Sequence, residues 1–218
     1  VGEEVKKIVL FDLDGTLIDS TEAILESFRH SLAQLNHTDQ LEDEVIKALI
    51  GHPLDVMFTR LGCKVDKIEE HVLTYKEYYR TISRAKTFLL PYAAQAVEEA
   101  SKHARLGIVT TKTARYSREL MEHFNLMDYF EVLIGHEDVQ EHKPHPAPIH
   151  KALEGMKYTL EEVWMIGDTR LDLEASQRAG IDAVGVLSGY DNFDQLSTFK
   201  FPIKKNALEA VQHIIKRG

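Results

Sequence analysis

The stretch from Ile8 to Ser20, I-V-L-F-D-L-D-G-T-L-I-D-S, constrains the fold of this chain more than any other. Ile8, Val9, Leu10 and Phe11 are apolar without alternation, which is the pattern of a strand buried on both faces of a parallel sheet. The run stops at Asp12 and Asp14, followed by Gly15 and Thr16, so the chain turns where two carboxylates are crowded together. Two like charges about 4 Å apart repel by roughly 4 kcal/mol at an effective dielectric of about 20. A fold retains such a pair only with compensation, and a divalent cation supplies it. Carboxylate oxygens suit magnesium, which keeps several waters and bridges to a substrate phosphate. The alternative is an acidic turn closing a strand, since Asp and Gly are common turn residues.

Composition narrows the setting. A chain of 218 residues with 44% apolar content suits one large domain, or a core carrying a modest insertion. A formal net charge of −9 argues against nucleic acid as a partner, because phosphate-backbone binding needs a basic patch. The single cysteine, Cys63, excludes an internal disulfide and a multi-cysteine zinc site. It reads as a packed thiol, and a cytoplasmic location is expected. The N-terminal apolar run is too short for a membrane span and is interrupted by Asp12, so no membrane partner is expected.

After the first strand, Asp19 and Ser20 offer helix N-caps, and Ile24, Leu25, Phe28, Leu32 and Leu35 share one helical face. A second helix is predicted from Leu41, with Val45, Ile46 and Leu49 inward, stopping at Gly51 and Pro53. A short third helix reaches Gly62. Ile68, Val72, Tyr75, Tyr79 and Ile82 then place a long helix between Asp66 and Ala85. Helices with no sheet among them must bury their apolar faces against one another, so residues 19–87 read as a helical bundle. From Pro91 onward helix and strand alternate, with strands at Leu106 to Val109, Val132 to Ile134, Val163 to Ile166 and Ala183 to Val186. That pattern predicts a parallel sheet. Residues 1–18 and 88–218 are thus expected to form one α/β core, with the bundle inserted as a cap. In open parallel sheets the ligand lies beyond the carboxyl ends of the strands, where Asp12 and Asp14 stand.

Other strand ends supply further candidates. Leu106 to Val109 runs into Thr110, Thr111 and Lys112, whose hydroxyls and backbone N–H groups suit a phosphoryl oxygen. Lys143 opens K-P-H-P, where prolines stiffen a loop entering a helix, and it reads either as a positioned ammonium or as a solvated loop charge. Val163 to Ile166 ends in G-D-T-R-L-D, which carries Asp168 and Asp172 onto adjacent positions as the loop enters its helix. Capping of that helix by Asp168 accounts for one acid but not for the second. His136, His142, His145 and His150 lie loosely nearby without zinc-ligand spacing and read as surface or supporting residues.

F-D-L-D-G-T-L-I-D-S, L-G-I-V-T-T-K, K-P-H-P and G-D-T-R-L-D, in that order, resemble the four motifs of the haloacid dehalogenase superfamily, in its phosphatase branch. The resemblance implies a Rossmann-like parallel sheet with helices on both faces and an inserted α-helical cap. It also implies Asp12 as nucleophile, Asp14 as general acid and base, and Lys143 as the cation that neutralises nucleophile and phosphate. Phosphate binding goes to Thr110, with Thr111 standing where many relatives carry Asn. Magnesium goes to Asp12, the backbone carbonyl of Asp14, and Asp168, with Asp172 supporting through water or hydrogen bonds. The helical cap resembles that of the phosphoglycolate phosphatase and pyrophosphatase-like subfamily, whose glycine-proline loop facing the site matches Ile50 to Leu54 and so adds Gly51 and His52 as substrate-binding candidates.

The expected function is therefore magnesium-dependent hydrolysis of a small phosphorylated metabolite, such as a phosphoglycolate-like phosphomonoester or pyrophosphate, by a monomer or homodimer. The alternatives are a β-phosphoglucomutase-like phosphotransferase, for which Ile50 and Leu54 lack basic character, and a phosphonatase, for which Lys47 is the nearest cap lysine. A dehalogenase would not need Asp14. A non-catalytic phosphometabolite-binding protein is the reading from a different class.

Overall fold

A computed structural model describes residues 7–36 and 41–217; the first six residues of the expected core lie outside that range. The strands are β1 (Lys7–Phe11), β2 (Ile18–Asp19), β3 (Phe88–Leu89), β4 (Ala104–Val109), β5 (Val132–Ile134), β6 (Val163–Gly167), β7 (Asp182–Val186) and β8 (Ile203–Lys204). The helices are α1 (Thr21–Gln34), α2 (Asp43–Lys47), α3 (Leu54–Arg60), α4 (Ile68–Ile82), α5 (Ala93–His103), α6 (Ala114–His123), α7 (Ala147–Leu153), α8 (Arg170–Ala179), α9 (Phe193–Leu196) and α10 (Ala207–Lys216). Six strands form one parallel sheet in the order β5-β4-β1-β6-β7-β8.

The unbroken apolar run places β1 in the middle of that sheet, and its side chains divide between two cores. Val9 and Phe11 join the layer that includes Val97, Val211 and Ile214 from α5 and α10. Ile8 and Leu10 join the opposite layer with Ile149 of α7 and Leu173 of α8. Burial on both faces is what an apolar strand without alternation requires. Gly107 of β4 lies beside Leu10, and a Cβ there would stand 2.7 Å from the Leu10 Cδ2 atom, so the close sheet packing depends on its missing side chain.

Helices α1 to α4 build a third apolar cluster of their own, centred on Phe28, Phe58, Tyr75 and Tyr79. Phe28 stands 4.6 Å from Phe58 and 4.8 Å from Tyr75, centroid to centroid. Two details of the bundle differ from expectation. Val45 is exposed rather than inward, because α2 is only five residues long and Ile46, Leu49 and Ile50 already provide the inward i, i+3, i+4 face. The long helix starts at Ile68, after a 3₁₀ turn at Val65–Lys67, and ends at Ile82.

The two chain segments joining the bundle to the sheet are paired with each other. Ile18 lies opposite Leu89 and Asp19 opposite Phe88 in an antiparallel ribbon, extended by a hydrogen bond from Leu90 N to Leu17 O at 3.0 Å. This ribbon, β8 and α9 are elements of two to four residues that carry no periodic signal in the sequence. Among the described residues, no helix is long and apolar enough to cross a membrane.

The packing generates a contrast. Phe28→Ala should destabilise the protein by about 3–5 kcal/mol, as expected for an aromatic lost from a closed core. Val45→Ala should stay within about 0.5 kcal/mol of the parent. Urea denaturation of both variants measures this, and comparable losses would contradict the placement of α2.

Candidate active site

The ends of β4, β1 and β6, three neighbouring strands, bring the site together. Asp12 donates its N–H to Ile166 O at 2.9 Å, which holds it on the last rung beside β6. Thr110 donates to Ile134 O at 2.9 Å in the same way beside β5. Asp168 follows β6 directly. Asp12, Thr110, Lys143, Asp168 and Asp172 are all buried, and carboxylate oxygens of the three aspartates lie within 4.8 Å of one another.

Lys143 ties this cluster to the sheet. Its ammonium donates to Asp12 Oδ1 at 2.8 Å, Asp172 Oδ1 at 2.6 Å and the Val109 carbonyl at 3.0 Å, which uses all three of its hydrogens. Burial works to lower its pKa, but Asp12 and Asp172 outweigh that and hold it above the usual lysine value. The positioned reading of Lys143 therefore fits the structure and the solvated one does not. Asp172 has no oxygen to spare, since its Oδ2 accepts from both the N–H and the hydroxyl of Thr169, at 3.0 and 2.7 Å. Asp172, not Asp168, thus occupies the start of α8 as the helix-terminal acceptor.

Asp168 instead sits in a polar cradle. Its Oδ1 accepts from the Thr16 hydroxyl at 2.9 Å and its Oδ2 from Tyr190 N at 2.9 Å. The backbone closes in so tightly that a Cβ on Gly15 would stand 2.3 Å from Asp168 Oδ2, and one on Gly189 would stand 1.9 Å away. Gly15 also has φ +85°, so glycine is required there by conformation and by space.

Three buried carboxylates meet one ammonium in this cluster, and the pKa directions follow. Burial pushes Asp12 up to about 7 against the pull of Lys143, with Asp172 adding to the rise. Asp168 is raised well above the carboxylate range by burial, then by Asp12 and Asp172. The set offers oxygen donors and a surplus of negative charge, which is the chemistry of a hard divalent cation.

The Asp14 carboxylate points elsewhere. Its Oδ1 accepts from the Ser20 hydroxyl, and its Oδ2 pairs with Lys112 Nζ at 3.1 Å. Ser20 therefore stands at the N-cap of α1 without capping it, while Asp19 accepts from Thr21 N at 3.0 Å. From sequence Lys112 offered only its backbone N–H, and its side chain was assigned no role. Its only signal was its place two residues beyond Thr110, whose hydroxyl accepts the Lys112 N–H at 3.2 Å. Burial works to lower the Lys112 pKa, and Asp14 and the Tyr79 hydroxyl together more than offset it.

Asp14 forms part of the lining of a cavity of about 100 Å³ roofed by the helical bundle. Gly51, His52 and Thr111 line it as well, and Thr111 donates its hydroxyl to the Gly51 carbonyl at 3.0 Å, joining sheet to bundle. His52 Nε2 accepts from Arg60 at 2.9 Å. Burial and Arg60 both hold the His52 pKa below the usual value. Of the other histidines, His136 borders the cavity and packs on His142 at 4.1 Å between centroids. His145 and His150 are exposed. Lys47 pairs with Glu44 at 2.9 Å and is not part of the cavity lining.

The cradle around Asp168 is directly testable. Gly15→Ala should cost at least ~1 kcal/mol of stability, because the new methyl meets both a left-handed backbone and a carboxylate. An unchanged denaturation midpoint would show that the turn has more room than the structure gives it.

Comparison with known proteins agrees with this geometry. Residues 9–186 match the family model of haloacid dehalogenase-like hydrolases. The chain is 36% identical over 182 residues to the pyrophosphatase PpaX of Bacillus mycoides, covering 82% of each chain. It is 32% identical over 187 residues to the phosphoglycolate phosphatase of Aquifex aeolicus, covering 84% of this chain and 86% of that one. A haloacid dehalogenase-like family hydrolase from Streptococcus pneumoniae superimposes with a TM-score of 0.86 at 27% identity, over 95% of this chain and 98% of that chain. With its parallel sheet, its aspartates at neighbouring strand ends and these relatives, the chain belongs to the haloacid dehalogenase-like hydrolase family, in its phosphatase branch.

Proposed function

We propose that this phosphatase uses magnesium to hydrolyse a small phosphorylated metabolite through an aspartyl-phosphate on Asp12. The observation that carries the reading is the fixed position of Asp12, with one oxygen held by Lys143 at the edge of a buried three-aspartate cluster. Asp12 and Asp168 would hold the metal together with the backbone carbonyl of Asp14. Asp172, whose oxygens are both engaged, would support the site by fixing Lys143. When bound, magnesium supplies positive charge to phosphoryl oxygens.

The side chains then divide the work. Asp12 attacks phosphorus in line while the bond to the leaving oxygen breaks, and Asp14, which lines the cavity where the leaving group would lie, gives that oxygen a proton. Water then attacks phosphorus, Asp14 takes its proton, and phosphate leaves Asp12. Lys143 offsets charge on the nucleophile and the transferring group. The Thr110 hydroxyl accepts from Lys112 N–H, leaving its own proton for a phosphoryl oxygen. With residues 19–87 acting as the cap, closure over the cavity excludes bulk water from the intermediate. The names of the relatives point to pyrophosphate and phosphoglycolate as the first substrates to assay.

Two measurements check the reading. Asp12→Asn should remain folded and lose activity on a chromogenic phosphoester by about 10³-fold or more. Retention of near-parental turnover in purified variant would remove Asp12 as nucleophile. The second follows from linkage. The Asp12 pKa is 3.8 in the unfolded chain and about 7 in the folded, metal-free one. The folded state therefore holds the extra proton in that window, so the contribution of this group to stability is full below pH ~4 and is lost as pH rises through about 7. A cation replaces that proton, so excess magnesium should raise Tm more at about pH 8 than at about pH 5. Equal increments, or a larger one in acid, would separate magnesium from this cluster.

A further inference from the structure

The inward stripe of α4 carries one charge. Val72, Tyr75, Lys76 and Tyr79 follow the i, i+3, i+4, i+7 spacing of a single helical face, and all four line the cavity beside Asp14. Glu69, Glu70, Glu77 and Arg80 of the same helix are exposed, whereas Lys76 is half-buried. A lysine drawn inward in this way ordinarily meets a carboxylate. Among the described residues Lys76 makes no hydrogen bond or ion pair, not even with Asp55, the carboxylate of the bundle that lines the same cavity.

The other cationic groups at the cavity are committed. Lys112 pairs with Asp14 at 3.1 Å and stands 4.5 Å from the centroid of the Tyr79 ring. Arg60 donates to His52 Nε2 at 2.9 Å, an acceptor only while that ring is neutral. Burial and then Lys76 hold the His136 pKa below its usual value, so the Lys76 charge is felt at the wall contributed by the sheet domain.

The charge of the lining at the moment of reaction follows from the role of Asp14. To give a proton to the leaving oxygen, Asp14 must be neutral, and the lining then sets one carboxylate, Asp55, against two ammonium groups, Lys76 and Lys112. The surplus is one positive charge. Lys112 stands beside Asp14 and therefore beside the departing oxygen, which leaves Lys76, on the bundle, for a group farther along the leaving molecule. An unpaired cation in a half-closed apolar cavity gains from an anionic partner more than it would in open water.

Resting on the phosphatase reading, we propose that Lys76 is a specificity-determining residue that binds an anionic oxygen group, a carboxylate or a second phosphate, carried by the leaving group. It acts on which phosphate compound is accepted and not on the transfer of the phosphoryl group.

The test compares kcat/KM for phosphoglycolate, for the phosphate ester of glycolamide, which has nearly the same shape without the carboxylate charge, and for pyrophosphate. Acetyl phosphate serves as a reference for turnover. In Lys76→Gln at least one of the two anionic substrates should lose about fivefold or more relative to the amide, the scale of a partly exposed ion pair. A loss confined to phosphoglycolate identifies the anion as a carboxylate, and a loss confined to pyrophosphate identifies it as a phosphate. Lys76→Arg keeps the charge and should hold both ratios within about twofold of the parent. No change in either ratio for Lys76→Gln, or an equal change for all three compounds, overturns the proposal. Should Lys76→Gln not yield folded protein, Asp55→Asn decides, because Asp55 is exposed and its removal leaves Lys76 less opposed. That variant should raise at least one of the two ratios by about twofold or more, and unchanged or lower ratios overturn the proposal. Failure of the parent to release phosphate from any compound, acetyl phosphate included, would instead defeat the phosphatase reading and the proposal with it.

Discussion

The Lys143 ammonium is the contact on which the site depends. It is the one cation among three buried carboxylates, and it reaches the nucleophile candidate, the α8 acid and the backbone at the end of β4 at once. A buried charge in such a position persists only when every donor is matched, because an unpaired ion in the interior costs several kcal/mol, on the order of ~3–5 when one partner is removed. The match here joins the ends of β1 and β4, the first turn of α8 and the loop that carries Lys143. The relative position of those segments is thus set by one side chain whose three hydrogens all have partners.

The sheet supplies the rest of the precision. Asp12 and Thr110 each donate their own N–H to the neighbouring strand, so both site residues are continuations of ladders and not free loop positions. Asp168 leaves the adjacent strand with glycines pressed against its carboxylate. A site built this way needs little rearrangement to accept a phosphoryl group, which is the condition under which fixed charges act most strongly on a reaction.

The parallel sheet and its strand-end acids were legible because they are local facts. The apolar run of β1 is continuous, and Asp12, Asp14, Thr110, Lys143, Asp168 and Asp172 each follow a short recognisable string. What was not legible depends on segments distant in sequence. Lys112 gains its partner only when the loop after β4 folds against Asp14. The exposed face of Val45 is settled by neighbours at Ile46 and Ile50 that compete for the same inward direction. Capping of α8 passes from Asp168 to Asp172 because Thr16 and Tyr190, far apart in the chain, converge on Asp168. Pattern reading assigns residues to faces, and these outcomes are decided by which face meets which.

The paired tethers of the helical bundle have a mechanical consequence. Two separate linkers would leave a tethered body free to tilt, roll and twist independently. Here the outgoing and returning segments are hydrogen-bonded side by side at Ile18 with Leu89 and Asp19 with Phe88, so they bend as a single ribbon. A ribbon bends readily across its flat face and resists shear in its plane, so the closure proposed for the cap would be a swing about one axis. Such a swing would return Gly51 to the same place over Thr111, and little orientational entropy would remain to be lost on closing.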